Sequence, residues 1–158
     1  MARATTAMTD TQVNPPPDPV KRERVVVAGL GRAGIEYACA FAMHPRAEIA
    51  GFVEPRNDLR RFVRGVGFGA HAEQTLSRWL DKYPCDTLVV CAPPEEAAQL
   101  VERGVDAGLG ILVHGLASMP GEVATRIHKA LETSHRPTGA GAGVLFHPMF
   151  ARARKLSE

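Results

Sequence analysis

The chain has 158 residues, of which 45% are hydrophobic and 23% are charged, and its formal net charge is +2. These values are typical of one globular domain and exclude a chain that is disordered throughout. The small net charge gives nucleic-acid binding little electrostatic support, and no apolar run is long enough to span a membrane.

The first 22 residues are rich in Thr, Asp and Pro and include three consecutive prolines at Pro15–Pro17. Such a composition cannot bury enough apolar surface to order itself. We therefore expect a disordered leader over residues 1–22 and an ordered domain over residues 23–148.

A glycine motif follows the leader. The apolar run Arg24–Ala28 leads into Gly29, Gly31 and Gly34, and an alanine-rich segment over residues 33–43 comes next. This order predicts a strand, a tight turn and a helix, which is the context that the G-x-G-x-x-G motif needs in a dinucleotide site. The first glycine would permit the turn, the second would admit a diphosphate, and the third would allow close packing of helix on strand. The predicted phosphate-binding residues are Gly29, Leu30, Gly31, Arg32, Ala33 and Gly34.

A second predicted strand, Glu48–Val53, ends in Glu54, about twenty residues after the glycines. A carboxylate at this point suits hydrogen bonds from ribose hydroxyls, although it would equally suit capping of the next helix. Glu54 would repel a 2′-phosphate and favours NAD. Arg56 would pair with that phosphate, so NADP stays possible as the cofactor.

The segment after Glu54 has weaker signals. Residues 59–63 predict a short helix whose arginines we interpret as a solvated face, and residues 65–69 predict a turn. Apolar residues at helical spacing over residues 74–80 predict a helix with Trp79 in the core.

The second half of the chain begins with a predicted buried strand, Thr87–Cys91, which is stopped by Ala92, Pro93 and Pro94. A helix over residues 95–107 and a strand over residues 111–113 follow. We include the three residues after the buried strand among the cofactor contacts.

The strand over residues 111–113 ends at His114. We expect Ser118 to cap a helix that begins near Pro120. The glycine-rich residues 139–143 predict a flexible approach to a last strand, Val144–Phe146.

Alternating strands and helices predict an α/β fold, a doubly wound and mostly parallel sheet in three α/β/α layers. Ligands of such sheets bind outside the carboxyl ends of the strands. That edge would bring together the glycine motif, Glu54, Cys91–Pro94, His114, Gly115 and His147.

The three cysteines, Cys39, Cys85 and Cys91, are widely spaced in apolar surroundings. This pattern predicts buried, reduced thiols and a cytoplasmic protein instead of a disulfide framework. Neither the cysteines nor the histidines have metal-ligand spacing, so no metal site is predicted.

The strand ends taken together resemble the N-terminal domain of the Gfo/Idh/MocA oxidoreductases. The resemblance implies a Rossmann domain that binds NAD or NADP, with the adenine ribose near Glu54 and the adenylate near Pro93 and Pro94. The segments that carry it are Val27–Gly34, Ala50–Glu54, Asp86–Pro94 and Ala107–Val113.

The chain departs from this family where the family does its chemistry. The resemblance implies a Glu-Lys-Pro motif whose lysine lies near the nicotinamide, but His114, Gly115 and Leu116 stand there. The family's second domain, which carries the substrate site, is expected to be missing, with residues 149–158 forming a C-terminal helix at the start of that missing domain. Since a glycine cannot transfer a proton, we expect a catalytically degenerate module that binds a dinucleotide and acts with a protein partner or as a homodimer.

Two alternatives stay open. In one, His114 replaces the lysine as acid/base, because histidine exchanges protons near neutral pH, and a partner closes the pocket of a small oxidoreductase. In the other, the fold has lost its ligand and assembles through the apolar face of the terminal helix. A histidine that only hydrogen-bonds loop carbonyls would fit His114 as well. Whether the chain is an enzyme is not decided by the sequence.

Overall fold

The computed structural model describes residues 21–65, 71–141 and Arg152. Six strands form one sheet in which every recorded pairing is parallel. The strands are β1 (Glu23–Ala28), β2 (Ala47–Val53), β3 (His71–Glu73), β4 (Thr87–Val90), β5 (Gly110–His114) and β6 (Thr138–Gly141). Their order in the sheet is β3-β2-β1-β4-β5-β6.

Helices cover both faces of this sheet. They are α1 (Arg32–Ala42), α2 (Asn57–Gly65), α3 (Leu76–Leu80), α4 (Pro94–Asp106) and α5 (Gly121–Glu132), with a short 3-10 turn at Leu116–Ser118.

Alternate residues of β1 divide the core into two layers. Val25 and Val27 pack with α1 and α2, whereas Val26 and Ala28 pack with α3, α4 and α5. All four side chains are fully buried, because β1 lies in the middle of the sheet with a helix layer on each face. The predicted doubly wound α/β fold is confirmed.

Most predicted elements agree with the structure to within one or two residues at each end. The main omission is β3, which has only three residues and exists by pairing with the end of β2, from Gly51 opposite His71 to Val53 opposite Glu73. Such a short strand has too few residues to show a hydrophobic period.

The capping role predicted for Ser118 is wrong. Its hydroxyl donates to the carbonyl of Gly115 at 2.8 Å, within the 3-10 turn. Helix α5 instead begins after Pro120, which occupies the N-cap position without a side-chain bond.

The glycine-rich approach at the end of the domain is also wrong in part. Residues 138–141 are themselves strand β6, paired with β5 from Ile111 to His114. The hydroxyl of Tyr37 lies where a Cβ on Gly141 would be, so a larger residue there would require the Tyr37 side chain to move. The predictions for residues 1–20, residues 66–69, Val144–Phe146, His147 and the helix over residues 149–158 lie outside the described residues.

The core position predicted for Trp79 is confirmed, since its side chain is fully buried. The burial predicted for Cys39 is wrong: it is exposed, because its neighbour Ala38 occupies the buried face of α1. Cys85 and Cys91 are partly buried, and all three cysteines are free.

Candidate functional site

The candidate site lies at the ends of the two central strands, β1 and β4, from which the chain continues toward opposite edges of the sheet. Strand β1 is followed by β2 on one side, and β4 is followed by β5 on the other. The backbone N–H of Cys91 donates to the carbonyl of Ala28 at 2.7 Å, and that of Gly29 donates to Val53 at 2.9 Å. Three strand ends are thereby tied together at the point where such sheets bind ligands.

Two of the motif glycines are required by the fold. Gly29 has φ +91°, and a Cβ there would lie 2.5 Å from the carbonyl oxygen of Cys91. A Cβ on Gly34 would overlap the carbonyl oxygen of Gly29. Any other residue at either position would therefore strain the turn.

Gly31 differs from the other two motif glycines. Its backbone is extended, with φ −70° and ψ −175°, which any residue adopts. Apart from Gly31 and its two chain neighbours, no described residue has an atom within 4 Å of the position that its Cβ would take. The space in front of the loop is therefore open at this residue.

Helix α1 begins directly behind that space. Its first helical bond runs from the N–H of Ile35 to the carbonyl of Gly31 at 3.1 Å, and its N-cap offers no side-chain acceptor. No described residue accepts from the N–H groups of Arg32, Ala33 or Gly34, and the first turn carries no acidic residue. Free N–H donors and the positive end of the helix dipole are the features by which helix N-termini bind anions in general.

Glu54 lies beside this loop and is only 5% exposed. Its Oε2 accepts from the N–H of Leu30 at 2.8 Å, and its Oε1 accepts from the N–H of Arg56 at 2.9 Å. Arg56 precedes α2, so the carboxylate does not bond to an amide inside that helix. The carboxylate instead joins the glycine loop to the start of α2.

Arginines surround the backbone of this turn. Arg60 donates to the carbonyls of Glu54 and Pro55, both at 2.6 Å. The exposed side chain of Arg56 pairs with Asp58 at 2.7 Å, which holds the pKa of that carboxyl below its usual value. The guanidinium of Arg56 is thus paired with a carboxylate that is itself exposed to solvent.

The predicted cofactor contacts at residues 92–94 follow β4, which lies on the opposite side of β1 from β2 and Glu54. Ala92 and Pro94 are partly exposed and Pro93 is exposed. Pro93 is the N-cap of α4, and its carbonyl accepts from Ala97 at 2.7 Å.

A cavity of about 330 Å³ lies between the ends of β2 and β3, the start of α3 and helix α4. Its lining combines apolar residues with amide, hydroxyl and charged ones, the charged residues being Glu96 and Arg103. Its lining includes Val53, Pro55, Thr75, Leu76, Gln99 and Leu100. A wider groove of about 620 Å³ between α4 and α5 contains no strand-end residue, and its Arg126 is paired with Glu102 at 2.5 Å.

His114 is the last residue of β5, which lies beyond β4 in the sheet. Its exposed ring meets Tyr37 of α1 edge to face, with ring centroids 5.7 Å apart. The two rings line a shallow pocket of about 230 Å³ with Glu36 and Ala40. Its role as acid/base stays a prediction.

Gly115 follows with φ +69°, a left-handed conformation. Burial raises the pKa of the Cys91 thiol to about 12, which disfavours the thiolate that a nucleophile needs.

Sequence reasoning did not identify Tyr37 as the neighbour of His114. The two residues meet only because α1 packs across β4 and β5, and no local pattern carries that information. In the described parts of the chain, no group of three or more His, Cys, Asp or Glu side chains could hold a metal ion. None of the helices described there has the length and apolar composition that crossing a membrane requires.

Comparison with known proteins agrees with this geometry. The profile of the Gfo/Idh/MocA family, described as an oxidoreductase family with an NAD-binding Rossmann fold, matches residues 23–136 of the chain. No curated protein matches the sequence of this chain.

Three solved structures illustrate the shared fold. The WlbA dehydrogenase from Bordetella pertussis, in complex with NADH and UDP-GlcNAcA, is 19% identical, with a TM-score of 0.78 over 85% of this chain and 41% of that one. Scyllo-inositol dehydrogenase from Lactobacillus casei, with bound NAD(H) and scyllo-inositol, is 15% identical, with a TM-score of 0.76 over 87% and 41%. GenD2 from gentamicin A biosynthesis, in complex with NAD, is 24% identical, with a TM-score of 0.74 over 91% and 41%. The chain thus spans about 41% of the length of these proteins.

Proposed function

The chain belongs to the Gfo/Idh/MocA oxidoreductase family, whose NAD-binding Rossmann domain it carries, and from that premise we propose that it is an NAD(H)-binding module without a complete catalytic site. Bound NAD(H) would supply hydride transfer. The chain's own residues would bind and orient it, and a partner surface would complete the pocket.

The diphosphate would lie in the open space at Gly31. The observation that carries this assignment is the combination of free amides at Arg32, Ala33 and Gly34 with a loop residue whose Cβ would meet nothing. Phosphate oxygens would accept from those amides, and the helix dipole would favour their negative charge.

The adenosine half would lie on the side of Glu54. Each oxygen of its carboxylate accepts one backbone N–H and keeps a lone pair for a ribose hydroxyl. The adjoining 330 Å³ cavity, with Leu76 and Leu100 in its lining, suits a planar base. We propose NAD as the preferred cofactor because a 2′-phosphate would be brought up against a buried carboxylate. Arg56 offers NADP a weaker alternative.

The chemistry is incomplete at Gly115. Reduction of a carbonyl needs a group that gives a proton to the oxygen, and in the family that the chain resembles a lysine stands here. Gly115 has no side chain, and its φ of +69° is one that a lysine adopts only with strain. His114 at the end of β5 is exposed, and a nicotinamide bound beside it would need a cover from a second domain, a second copy or another protein.

Isothermal titration with NADH and NADPH tests the binding proposal. We expect NADH to bind with micromolar affinity and NADPH to bind at least tenfold more weakly. If neither dinucleotide binds at millimolar concentration, the proposal of an NAD(H)-binding module is wrong.

A second measurement separates the module from a small oxidoreductase. Nicotinamide absorbance is followed with carbonyl and imine substrates, with and without a candidate partner. We expect no turnover by the chain alone. Turnover by the chain alone that disappears in His114→Ala would overturn this expectation and establish the histidine as acid/base.

A further inference from the structure

Glu54 is the one charged side chain that is buried among the described residues. Burying a carboxylate is costly unless hydrogen bonds or an opposite charge compensate it. No described cation forms an ion pair with it; Arg60 reaches only its backbone carbonyl. Two backbone N–H groups therefore provide its direct hydrogen bonds.

These two amides belong to different parts of the site. Leu30 lies between the first two motif glycines, with its side chain 4% exposed, and Arg56 immediately precedes α2. The backbone bond from Gly29 to Val53 is the neighbouring tie between the same two loops. The bond from Leu30 to Glu54 lies one residue further along both segments, and Leu30 directly precedes Gly31 and helix α1.

We propose that Glu54 is a positioning residue for the diphosphate, holding the glycine loop in its open conformation before any dinucleotide arrives. This rests on the proposed function and adds to it a second role for the carboxylate, independent of the ribose. A loop fixed in advance loses less conformational freedom on binding, and affinity rises accordingly. The two roles are compatible because backbone amides and ribose hydroxyls are all donors.

The first arm of the test needs no ligand. Glu54→Gln keeps the shape of the side chain but directs an NH₂ donor at one of the two backbone amides. We expect hydrogen exchange at the amide that the NH₂ faces, Leu30 or Arg56, followed by NMR on the free protein, to accelerate about tenfold, the equivalent of one hydrogen bond of about 1.4 kcal/mol. Glu48→Gln removes the same charge from an exposed position of β2 and should leave this exchange unchanged.

The second arm separates positioning from ribose contact. ADP and 2′,3′-dideoxy-ADP carry the same diphosphate, but only ADP can donate hydroxyl groups to Glu54. We expect Glu54→Gln to weaken both ligands, including about a tenfold loss for the dideoxy compound in an NMR titration. Equal binding of the dideoxy compound to wild type and variant would reduce Glu54 to a ribose ligand and overturn the proposal.

Glu54→Asp is the second variant, in case the first does not fold. It keeps the charge but is one methylene too short to reach Leu30, so the same changes are expected. Failure of wild-type protein to bind NADH and ADP refutes the proposed function, whereas unchanged exchange at both the Leu30 and the Arg56 amides in a folded variant refutes the positioning role alone.

Discussion

Gly31→Ala isolates the cofactor site from the fold. The added methyl group has no atom within 4 Å, and φ −70° is an ordinary value for alanine. Two small effects on stability oppose each other. Alanine reduces the entropy of the unfolded chain, worth about 0.4–1 kcal/mol, and it is a poorer N-cap than glycine by about 0.5–1 kcal/mol. We expect the melting temperature to stay within about 4 °C of wild type.

Binding should respond much more strongly than stability. The methyl group points into the space assigned to the diphosphate, so the phosphate would move away from the amides of α1. Loss of one charge-assisted hydrogen bond costs about 1.5–3 kcal/mol. At 1.4 kcal/mol per factor of ten, the Kd for NADH would rise about 10- to 100-fold.

Calorimetric titration and thermal melts on the same samples provide the measurement. Gly65→Ala is the matched control, because it also adds a methyl group with nothing within 4 Å, but at the end of α2. It should leave the Kd unchanged. Wild-type affinity in Gly31→Ala would mean that no phosphate approaches this residue, and the assignment of the diphosphate would fall.

Three further variants or reactions test other parts of the structure. Gly34→Ala should lower the melting temperature by more than 5 °C and abolish NADH binding, since its Cβ overlaps a backbone carbonyl; normal melting and binding would contradict the close packing. Asp86→Asn should cost about 1 kcal/mol at pH 7 in urea unfolding, because the Arg24 guanidinium, bound at 2.9 Å, holds the pKa of Asp86 well below its usual range. That stabilisation is present above the unfolded pKa of about 4 and is lost as pH falls below it, so wild type and variant should converge toward pH 2. In iodoacetamide labelling at pH 8, mass spectrometry should find Cys39 modified first and Cys91 unmodified, since burial raises the pKa of Cys91 to about 12; equal labelling would show that this strand end is open.

The sequence was informative where one local requirement decides the structure. The continuous apolar runs of β1 and β4 are buried on both faces, and such burial leaves no polar positions to obscure the signal. Gly29 and Gly34 were recognisable by spacing, because the turn and the helix contact recur whenever a strand leads directly into a helix.

The sequence was uninformative where a contact spans distant parts of the chain. Strands β3 and β6 exist by pairing with β2 and β5, and their own residues show no period. The contact between Tyr37 and His114 follows from packing of α1 across the sheet. Glu54 was found by its position after β2, but its bond to Leu30 crosses between two loops, so its hydrogen-bond partners had to come from the structure.

The requirements of the fold and of the ligand separate at single residues of this loop. Gly29 and Gly34 would be needed by the turn without any cofactor, since packing forbids a Cβ at both. Gly31 has no such constraint, and an aspartate there would cap α1 and improve its dipole interaction by about 0.3–1 kcal/mol. That same aspartate would occupy the free amides with its own carboxylate and repel phosphate. The absence of a cap at this helix start therefore does not serve the stability of the fold, and it supports the proposed anion site.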